Sequence, residues 1–195
     1  MPILLLLLGL FQQKPAATAP LQPAPGNPVV VIDTSAGSIT VELFKDQAPV
    51  SVENFLRYLH EEFYPGTIWH RVVPGYVIQA GGYTSNLGEK PTRPPIQNEA
   101  TNGLSNRKGT LAMARTRAAR SATSQFFINL VDNPSLDHRG FAPEDFGYAV
   151  FGRVIDGWET VTKIASVQTM TTRDGMENVP MTPIIIKSVT LRGRE

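Results

Sequence analysis

Cysteine is absent from the 195 residues of this chain. Disulfides, thiol nucleophiles, iron–sulfur clusters and cysteine-based zinc sites are therefore excluded, and the redox state of the compartment stays undetermined. Histidine is scarce too, because only His60, His70 and His138 occur, and no two of them have the i, i+4 spacing of a helical metal site. We therefore predict neither a metal ion nor another cofactor.

An excess of charge of one sign is also missing. The chain has 18 basic and 17 acidic residues, which leaves a net charge of +1. No global field would recruit nucleic acid or an anionic membrane, so a nucleic-acid partner is not expected. The Gly-x-Ser-x-Gly motif of many hydrolases is absent, and Ser124 has no histidine close in sequence. A barrel-fold hydrolase stays an alternative that would need a histidine brought close in space.

An apolar run long enough to cross a bilayer is missing at the N-terminus. Residues 3–11 are apolar, but such a run is far shorter than the ~20 residues that a spanning helix needs, and it suits a signal-peptide core. Residues 17–19, Ala-Thr-Ala, have the small-x-small pattern for cleavage after Ala19, whereas Pro20 disfavours cleavage there. We interpret residues 1–19 as a signal peptide or an uncleaved N-terminal anchor, and we expect export, most simply to the periplasm.

The rest of the chain is predicted to form one domain behind a linker. Residues 20–28 are a Pro/Ala-rich tract without charge, a composition typical of an extended linker. Hydrophobic residues make up 42% of the chain, which is enough for one sizeable core. The domain is placed at residues 29–195.

Within this domain, short strands outnumber helices. Residues 29–34 and 38–44 predict a hairpin, because β-branched residues flank a Ser-Ala-Gly turn. One helix is predicted to begin at Pro49 and a second to follow residues 156–157. Further strands are predicted within 69–82 and at 109–115, 124–130, 148–155 and 184–191, with a long loop over 83–108. This pattern indicates an all-β barrel or sandwich with two helices.

Two polar side chains stand out in residues 69–82, where two apolar strand-like runs flank a Pro-Gly turn. Arg71 and Gln79 would be stranded in apolar surroundings unless they line a partly dry groove that binds something. In a regular strand, His70 points to the face opposite Arg71. Taken alone, Arg71 also fits a buried salt bridge, and His70 fits a structural histidine better than a general base.

Strand alternation supports the groove. Gln125 and Phe127 share one face, whereas Phe126 and Ile128 share the other. The small residues of the segment 112–115, Ala-Met-Ala-Arg, would leave room above the sheet. An apolar groove with a few fixed hydrogen-bonding groups is one interpretation. The other is that the phenylalanines are core residues and the glutamines satisfy loop carbonyls.

Four ordered motifs resemble one known family. They are Trp-His-Arg-Val-Val-Pro-Gly-Tyr-Val-Ile-Gln-Ala-Gly-Gly at 69–82, Gly-Thr-Leu-Ala-Met-Ala-Arg at 109–115, Ser-Ala-Thr-Ser-Gln-Phe-Phe-Ile at 121–128, and Phe-Gly-Tyr-Ala-Val-Phe-Gly at 146–152. The chain thus resembles the cyclophilin-type peptidyl-prolyl cis–trans isomerases, especially their bacterial periplasmic branch. The similarity extends over about residues 29–191.

The resemblance implies an all-β fold, a closed eight-stranded antiparallel barrel capped by a helix at each end, with its groove on the outer surface. It also implies an isomerase that acts on proline-containing polypeptides without a cofactor. By motif, the catalytic residues would be Arg71, Gln79 and Phe127. The substrate-binding residues would be Tyr76, Val77, Ala114, Arg115, Thr116, Gln125, Leu136 and Tyr148.

Several positions depart from the family pattern. Tyr76 and Val77 stand where phenylalanine and methionine are usual, so the proline pocket is expected to persist with a changed shape. Ser135 replaces a frequent tryptophan, which predicts weak cyclosporin binding, and Tyr148 replaces a frequent histidine. A monomeric enzyme is expected. A non-catalytic module that binds proline-containing peptides on the same barrel is the alternative.

Overall fold

A computed structural model describes residues 21–193 of the chain. The predicted signal peptide or anchor, residues 1–19, lies outside these residues and stays a prediction. The domain boundary near Pro28 also stays a prediction, although residues 21–28 contain no helix or strand.

Eight strands form one antiparallel sheet that curls into a barrel. They are β1 (Val29–Thr34), β2 (Gly37–Leu43), β3 (Thr67–Val73), β4 (Val77–Thr84), β5 (Thr110–Met113), β6 (Phe126–Asn129), β7 (Val150–Asp156) and β10 (Ile186–Leu191). The order around the barrel is β10-β1-β2-β7-β5-β6-β4-β3. A bridge between Ile68 of β3 and Ile185, the residue before β10, joins the two ends of this order, and this closure confirms the predicted barrel.

Apolar side chains that alternate along the strands fill the barrel. In β2, for example, Ile39, Val41 and Leu43 point inward and are fully buried. Aromatic rings dominate the centre, where Phe126 meets both Phe55 and Trp69 edge-on. The period-2 pattern of the sequence therefore decides which residues build the interior.

Helix α1 (Pro49–His60) covers one end of the barrel and inserts Phe55 into the core. Its N-cap residue, Ala48, offers no side-chain hydrogen bond. Glu99, from the long loop between β4 and β5, accepts hydrogen bonds instead from the main-chain N–H groups of Val50 (3.0 Å) and Ser51 (2.8 Å), and from the Ser51 hydroxyl. A distant carboxylate thus supplies the cap that the local sequence lacks.

Helix α2 (Trp158–Ala165) covers the other end and buries Val161 and Ile164. Gly157 precedes it with φ +81°, and a Cβ at this position would lie 2.3 Å from the Ser38 carbonyl oxygen. Only glycine satisfies both the left-handed conformation and this close approach.

A two-stranded ribbon of β8 (Thr169–Met170) and β9 (Val179–Pro180) adds to the predicted elements and lies beside β3. The predicted long loop is confirmed, since no regular strand occurs between Thr84 and Thr110.

Residues 21–28, which we call the strap, run along the outside of β2 and β7. Glu42 of β2 is only 1% exposed and accepts hydrogen bonds from the Ala24 N–H (2.7 Å), the Asn27 side chain (2.7 Å) and Arg153 (2.8 Å). Burial alone would raise the pKa of Glu42, but these hydrogen bonds outweigh it and the pKa lies below its usual value. The tract that composition marks as a linker is therefore fastened to the barrel.

Candidate active site

A second apolar cluster lies outside the barrel, on β4, β5 and β6. Phe127 belongs to this cluster, whereas its neighbours Phe126 and Ile128 belong to the barrel interior. Val77 and Ala112 are buried on the same outer face. The predicted alternation is confirmed, and Phe127 lies on the groove side of the sheet.

This outer cluster forms the floor of a pocket of ≈ 280 Å³. Nine of the eleven side chains that the motifs nominate line it: Arg71, Tyr76, Val77, Gln79, Ala114, Arg115, Phe127, Leu136 and Tyr148. Leu136 comes from a short 3₁₀ helix (Pro134–Leu136) that follows β6. The structure thus brings together residues from six separate segments, although their individual roles stay predictions.

Arg71 reaches the pocket because β3 contains a bulge. Trp69 pairs with Ala80 and Arg71 pairs with Gln79, so two steps along β3 match one step along β4. If the pairing were regular across this step, the side chains of Trp69 and Arg71 would share one face, because the two residues lie two positions apart. The bulge accommodates His70 as the extra residue, so Trp69 lies in the barrel core and Arg71 lines the pocket.

The bulge also corrects the expectation that His70 points away from the arginine. His70 is 4% exposed, lies against the Tyr83 ring at 4.7 Å and neighbours Gln125, which belongs to the outer face. Burial, assisted by the charge of Arg71, lowers the pKa of His70 to about 4. The imidazole is therefore neutral at pH 7, and the structural interpretation of His70 is the one that the geometry favours.

The Arg71 guanidinium makes no hydrogen bond or salt bridge within residues 21–193, and the residue is only half-buried. In contrast, Arg93 and Arg153 each pair with a carboxylate. A partly shielded cation without an internal partner is available to a bound molecule.

Gln79 and Gln125 are joined across the rim of the pocket by a hydrogen bond of 2.8 Å from Gln79 Nε2 to Gln125 Oε1. This bond leaves the Gln79 Oε1 and the Gln125 Nε2 free to meet a peptide group. Gly82 makes room for the pair, because a Cβ there would lie 2.5 Å from Gln125 Nε2. Gln125 reaches the rim through its hydrogen bond to Gln79 and is not among the residues that line the pocket itself.

Aromatic rings form the pocket walls. Phe127 and Tyr148 meet edge to face at 5.6 Å. Burial and the neighbouring Tyr148 raise the pKa of Tyr76, while Arg71 lowers it slightly, so the Tyr76 phenol stays neutral near pH 7. The pocket therefore combines apolar walls with a polar rim and two cations, Arg71 and Arg115.

Arg115 is engaged within the protein. Its guanidinium donates to the carbonyl oxygens of Gly147 (2.8 Å), Pro143 (2.9 Å) and Thr116 (3.0 Å), and it stacks over the Tyr148 ring at 4.7 Å. Thr116 turns away from the pocket, and its hydroxyl hydrogen-bonds to Ser121 (2.8 Å). The polar groups of the Arg115 side chain and of Thr116 are therefore used within the protein, and the predicted contacts of both residues with substrate stay predictions.

Other chemistries find little support in the described part of the chain. The Ser124 hydroxyl is buried and has no hydrogen-bond partner within residues 21–193, so no base activates it. Within the same range, no group of three or more potential metal ligands occurs. None of the helices between Leu21 and Gly193 has the length and apolar character needed to cross a membrane.

Sequence reasoning missed the residues that shape this pocket from behind. His70 and Gly82 support the glutamine rim, and the side-chain amides of Asn106, Asn129 and Asn133 lie buried behind the walls. In the sequence these asparagines look like ordinary loop and turn residues, so only their clustering in three dimensions reveals them.

The family model for "Cyclophilin type peptidyl-prolyl cis-trans isomerase/CLD" matches residues 29–191. Peptidyl-prolyl cis-trans isomerase A of Dickeya dadantii is 51% identical over 162 residues, which cover 83% of each chain. Peptidyl-prolyl cis-trans isomerase B of Escherichia coli is 49% identical over 164 residues, which cover 84% of this chain and 99% of that protein.

Solved structures agree with these relatives. A cyclophilin type peptidyl-prolyl cis-trans isomerase of Cryptosporidium parvum superposes with a TM-score of 0.70 at 27% identity, covering 87% of this chain and 99% of that one. The same protein crystallised in the presence of the dipeptide Ala-Pro also gives a TM-score of 0.70. The motifs, the barrel and the relatives agree, and the chain belongs to the cyclophilin-type peptidyl-prolyl cis–trans isomerases.

Proposed function

We propose that this isomerase accelerates rotation about X-Pro bonds in the outer pocket, and that Arg71 stabilises the twisted amide. The observation that carries the proposal is the Arg71 guanidinium, which lines a pocket with apolar walls and has no partner within residues 21–193. The pocket beside it is walled by Phe127 and Leu136, which suit a proline ring.

The chemistry needs no bond to be made to carbon. An X-Pro bond rotates over a barrier of ~18–20 kcal/mol because amide resonance must be broken, and uncatalysed exchange takes tens to hundreds of seconds. In the twisted state the prolyl nitrogen becomes a hydrogen-bond acceptor. A guanidinium aimed at that nitrogen binds the twisted state better than either planar isomer, and this difference lowers the barrier.

The rim would hold the peptide while its bond rotates. Gln79 Oε1 can accept from a substrate N–H and Gln125 Nε2 can donate to a substrate carbonyl, because their mutual hydrogen bond uses the opposite amide atoms. The main chain at Ala114 and Arg115 borders the same pocket and would receive the residues that precede proline.

The test is a protease-coupled isomerisation assay on an Ala-Pro peptide. Arg71→Ala should lower kcat/KM by about 100-fold, a typical cost of losing one donor to a transition state. Arg71→Lys keeps the charge without the planar fork and should fall in between. The matched control, Arg57→Ala, removes an exposed arginine of α1 and should keep the wild-type rate.

Two outcomes would redirect the assignment. Full activity in a folded Arg71→Ala variant would remove Arg71 from the mechanism. A wild-type protein that binds the peptide yet matches the uncatalysed rate would establish the non-catalytic binding module instead.

We further propose that the enzyme is exported and assists the folding of other proteins, because an open groove of this kind can accept extended chains. The support for export is the apolar run at residues 3–11 with its Ala-Thr-Ala tract. Export is tested by measuring the mass of the protein in the cell fractions of an expressing bacterium. A periplasmic protein with the mass of a chain that begins at Pro20 indicates cleavage, and a full-length protein in the membrane fraction indicates an anchor. Protein that stays in the cytoplasm refutes export.

Weak cyclosporin binding is proposed from one substitution. Ser135 is exposed beside Leu136, where the family often has a tryptophan that supplies contact area to the inhibitor. Ser135→Trp should therefore tighten inhibition of the isomerase assay. Tight inhibition of the wild type would contradict the proposal.

A monomer is proposed because the main sheet has no free edge. The bridge between Ile68 and Ile185, together with the hydrogen bond from the Trp69 N–H to the Ile184 carbonyl, joins β3 to the chain beside β10. Light scattering during gel filtration should give the mass of one chain, and a concentration-dependent dimer would refute it.

A further inference from the structure

Three buried asparagines form a chain of hydrogen bonds behind the pocket. Asn106, Asn129 and Asn133 are 1%, 0% and 6% exposed. Asn133 Nδ2 donates to Asn129 Oδ1 (2.8 Å), and Asn129 Nδ2 donates to Asn106 Oδ1 (3.2 Å). We call these three side chains the amide relay. None of them lines the pocket, so none can touch a substrate there.

The relay ends on the main chain of three pocket walls. Asn133 Nδ2 donates to the Tyr76 carbonyl oxygen at 3.1 Å. Asn106 Nδ2 donates to the carbonyl oxygens of Leu136 (3.1 Å) and Tyr148 (3.3 Å). Three walls from three different segments are thus held by one connected set of side chains.

The direction of each amide in the relay is determined by its partners. Carbonyl oxygens can only accept, so the Nδ2 atoms of Asn133 and Asn106 must face Tyr76, Leu136 and Tyr148. Asn106 Oδ1 is then free to accept from Asn129 Nδ2, and Asn129 Oδ1 accepts from Asn133 Nδ2.

A charge terminates the relay. The Asp137 carboxylate accepts from the Asn106 main-chain N–H (2.6 Å) and from Asn106 Nδ2 (3.0 Å). Charge-assisted hydrogen bonds are the stronger ones, and a connected network in a dry interior reinforces itself.

We propose that Asn106, Asn129 and Asn133 are positioning residues that set the width of the proline pocket by holding the main chain of Tyr76, Leu136 and Tyr148. This inference rests on the proposed function of the pocket. When the relay is broken, the walls relax and grip both planar and twisted peptide less well. Since the planar and the twisted peptide lose binding energy equally, KM should rise while kcat changes little.

The experiment compares three relay variants in the Ala-Pro peptide assay, with peptide Kd measured separately by NMR titration. Asn133→Ala removes the donors at one end of the relay, and Asn129→Leu removes its centre. We expect KM and Kd to rise by about fivefold or more with kcat within about twofold of wild type.

The third variant, Asn133→Asp, keeps the shape of the side chain, removes its two donors and introduces a carboxylate. It should raise KM at least as much as Asn133→Ala, because an anionic oxygen would then face the Tyr76 carbonyl and Asn129 Oδ1. A wild-type KM in Asn133→Asp would show that Asn133 only fills space, and would overturn the proposal.

A control separates the relay from general destabilisation. Thr34 is also buried, and its hydroxyl makes two hydrogen bonds, to the Gly37 carbonyl (2.6 Å) and from the Ala36 N–H (3.0 Å), far from the pocket walls. Thr34→Val should lose stability without any change in KM, since partial unfolding lowers only the amount of active enzyme.

Arg71→Ala in the same assay distinguishes failure of the proposed function from failure of the proposed relay. If Arg71→Ala is fully active, the proposed role of Arg71 is wrong, and the relay is still judged by the KM and Kd of its own variants. If Arg71→Ala is inactive and the Asn133 variants keep the wild-type KM and Kd, the site stands and the relay has no positioning role.

Discussion

At the scale of single residues, Gly82 shows how a small side chain determines the position of a larger one. Its φ is not in the left-handed region, so the backbone tolerates alanine, but a Cβ would lie 2.5–2.7 Å from three atoms of Gln125. Gly82→Ala should therefore displace the Gln125 side chain, break its hydrogen bond to Gln79 and lower kcat/KM by about tenfold, with little loss of stability.

The check on Gly82 is a double-mutant cycle with Gln125→Ala in the isomerase assay. The combined variant should be no slower than Gln125→Ala alone, because both changes remove one interaction. Gly140→Ala serves as the control, since a Cβ there would meet its nearest neighbour at an ordinary 3.6 Å. A Gly82→Ala variant with full activity would contradict the assigned contact.

Some of these residues could be predicted from the sequence, and others could not. Strand alternation places Gln79 and Phe127 on the outer face, and the motif marks Arg71. The orientation of His70 could not be predicted, because alternation assumes a regular strand and β3 has a bulge there.

At the scale of elements, the cap on α1 comes from a residue 48 positions away from Ser51. Glu99→Ala should lower the free energy of unfolding by about 1–2 kcal/mol, because two N–H groups of the first turn and the Ser51 hydroxyl lose their acceptor. Urea unfolding followed by circular dichroism measures the change. Glu53→Ala, on the exposed face of the same helix, should change stability by less than about 0.5 kcal/mol.

An equal effect of Glu99→Ala and Glu53→Ala would mean that the Glu99 cap contributes nothing beyond an ordinary surface charge.

The cap also explains why the sequence predicts where α1 begins but not what holds it there. Pro49 is a local signal, whereas the Glu99 contact exists only after the loop has folded back over the helix.

Some strands, like the start of α1, could be predicted from the local sequence, whereas others depend on long-range contacts. Those with clear alternation, such as β2 and β6, could be predicted, because their pattern follows from one buried face. The two-residue strands β8 and β9 are too short to carry a pattern, and they exist only because the chain that contains them lies against β3.

At the scale of the whole molecule, stability should depend on pH through His70. Its pKa is lowered from 6.5 to about 4 in the folded protein, mainly by burial, so the unfolded chain binds more protons between these values. The contribution is fully present above pH 6.5 and is lost as the pH falls towards 4. One pKa unit corresponds to about 1.4 kcal/mol, so the total loss approaches about 3 kcal/mol.

Urea unfolding at pH 7.5, 6 and 5 measures this dependence. His70→Gln should flatten the profile over this range, whereas His60→Gln, at an exposed position of α1, should leave it unchanged. A wild-type stability that is constant between pH 7.5 and 5, or a slope that survives in His70→Gln, would refute the assignment to His70.

The overall barrel could be predicted from composition, alternation and family resemblance together. The family resemblance also implies its closure, but the residues that close it and the strap could not be predicted, because both depend on long-range pairs: Ile68 with Ile185, and Glu42 with Ala24 and Asn27. A Pro/Ala-rich tract has the composition of a free linker, and only the buried carboxylate beneath it shows that it is bound.

The bulge in β3 adds one residue to the strand without turning its neighbours. Because Trp69 and Arg71 pair with the consecutive residues Ala80 and Gln79, a chain without His70 would make them adjacent and still keep them on opposite faces. The extra residue therefore contributes His70 itself, which lies buried beside Gln125. Among descendants of this gene, loss of this single codon should remove the support of the glutamine rim, whereas the direction of Arg71 should survive.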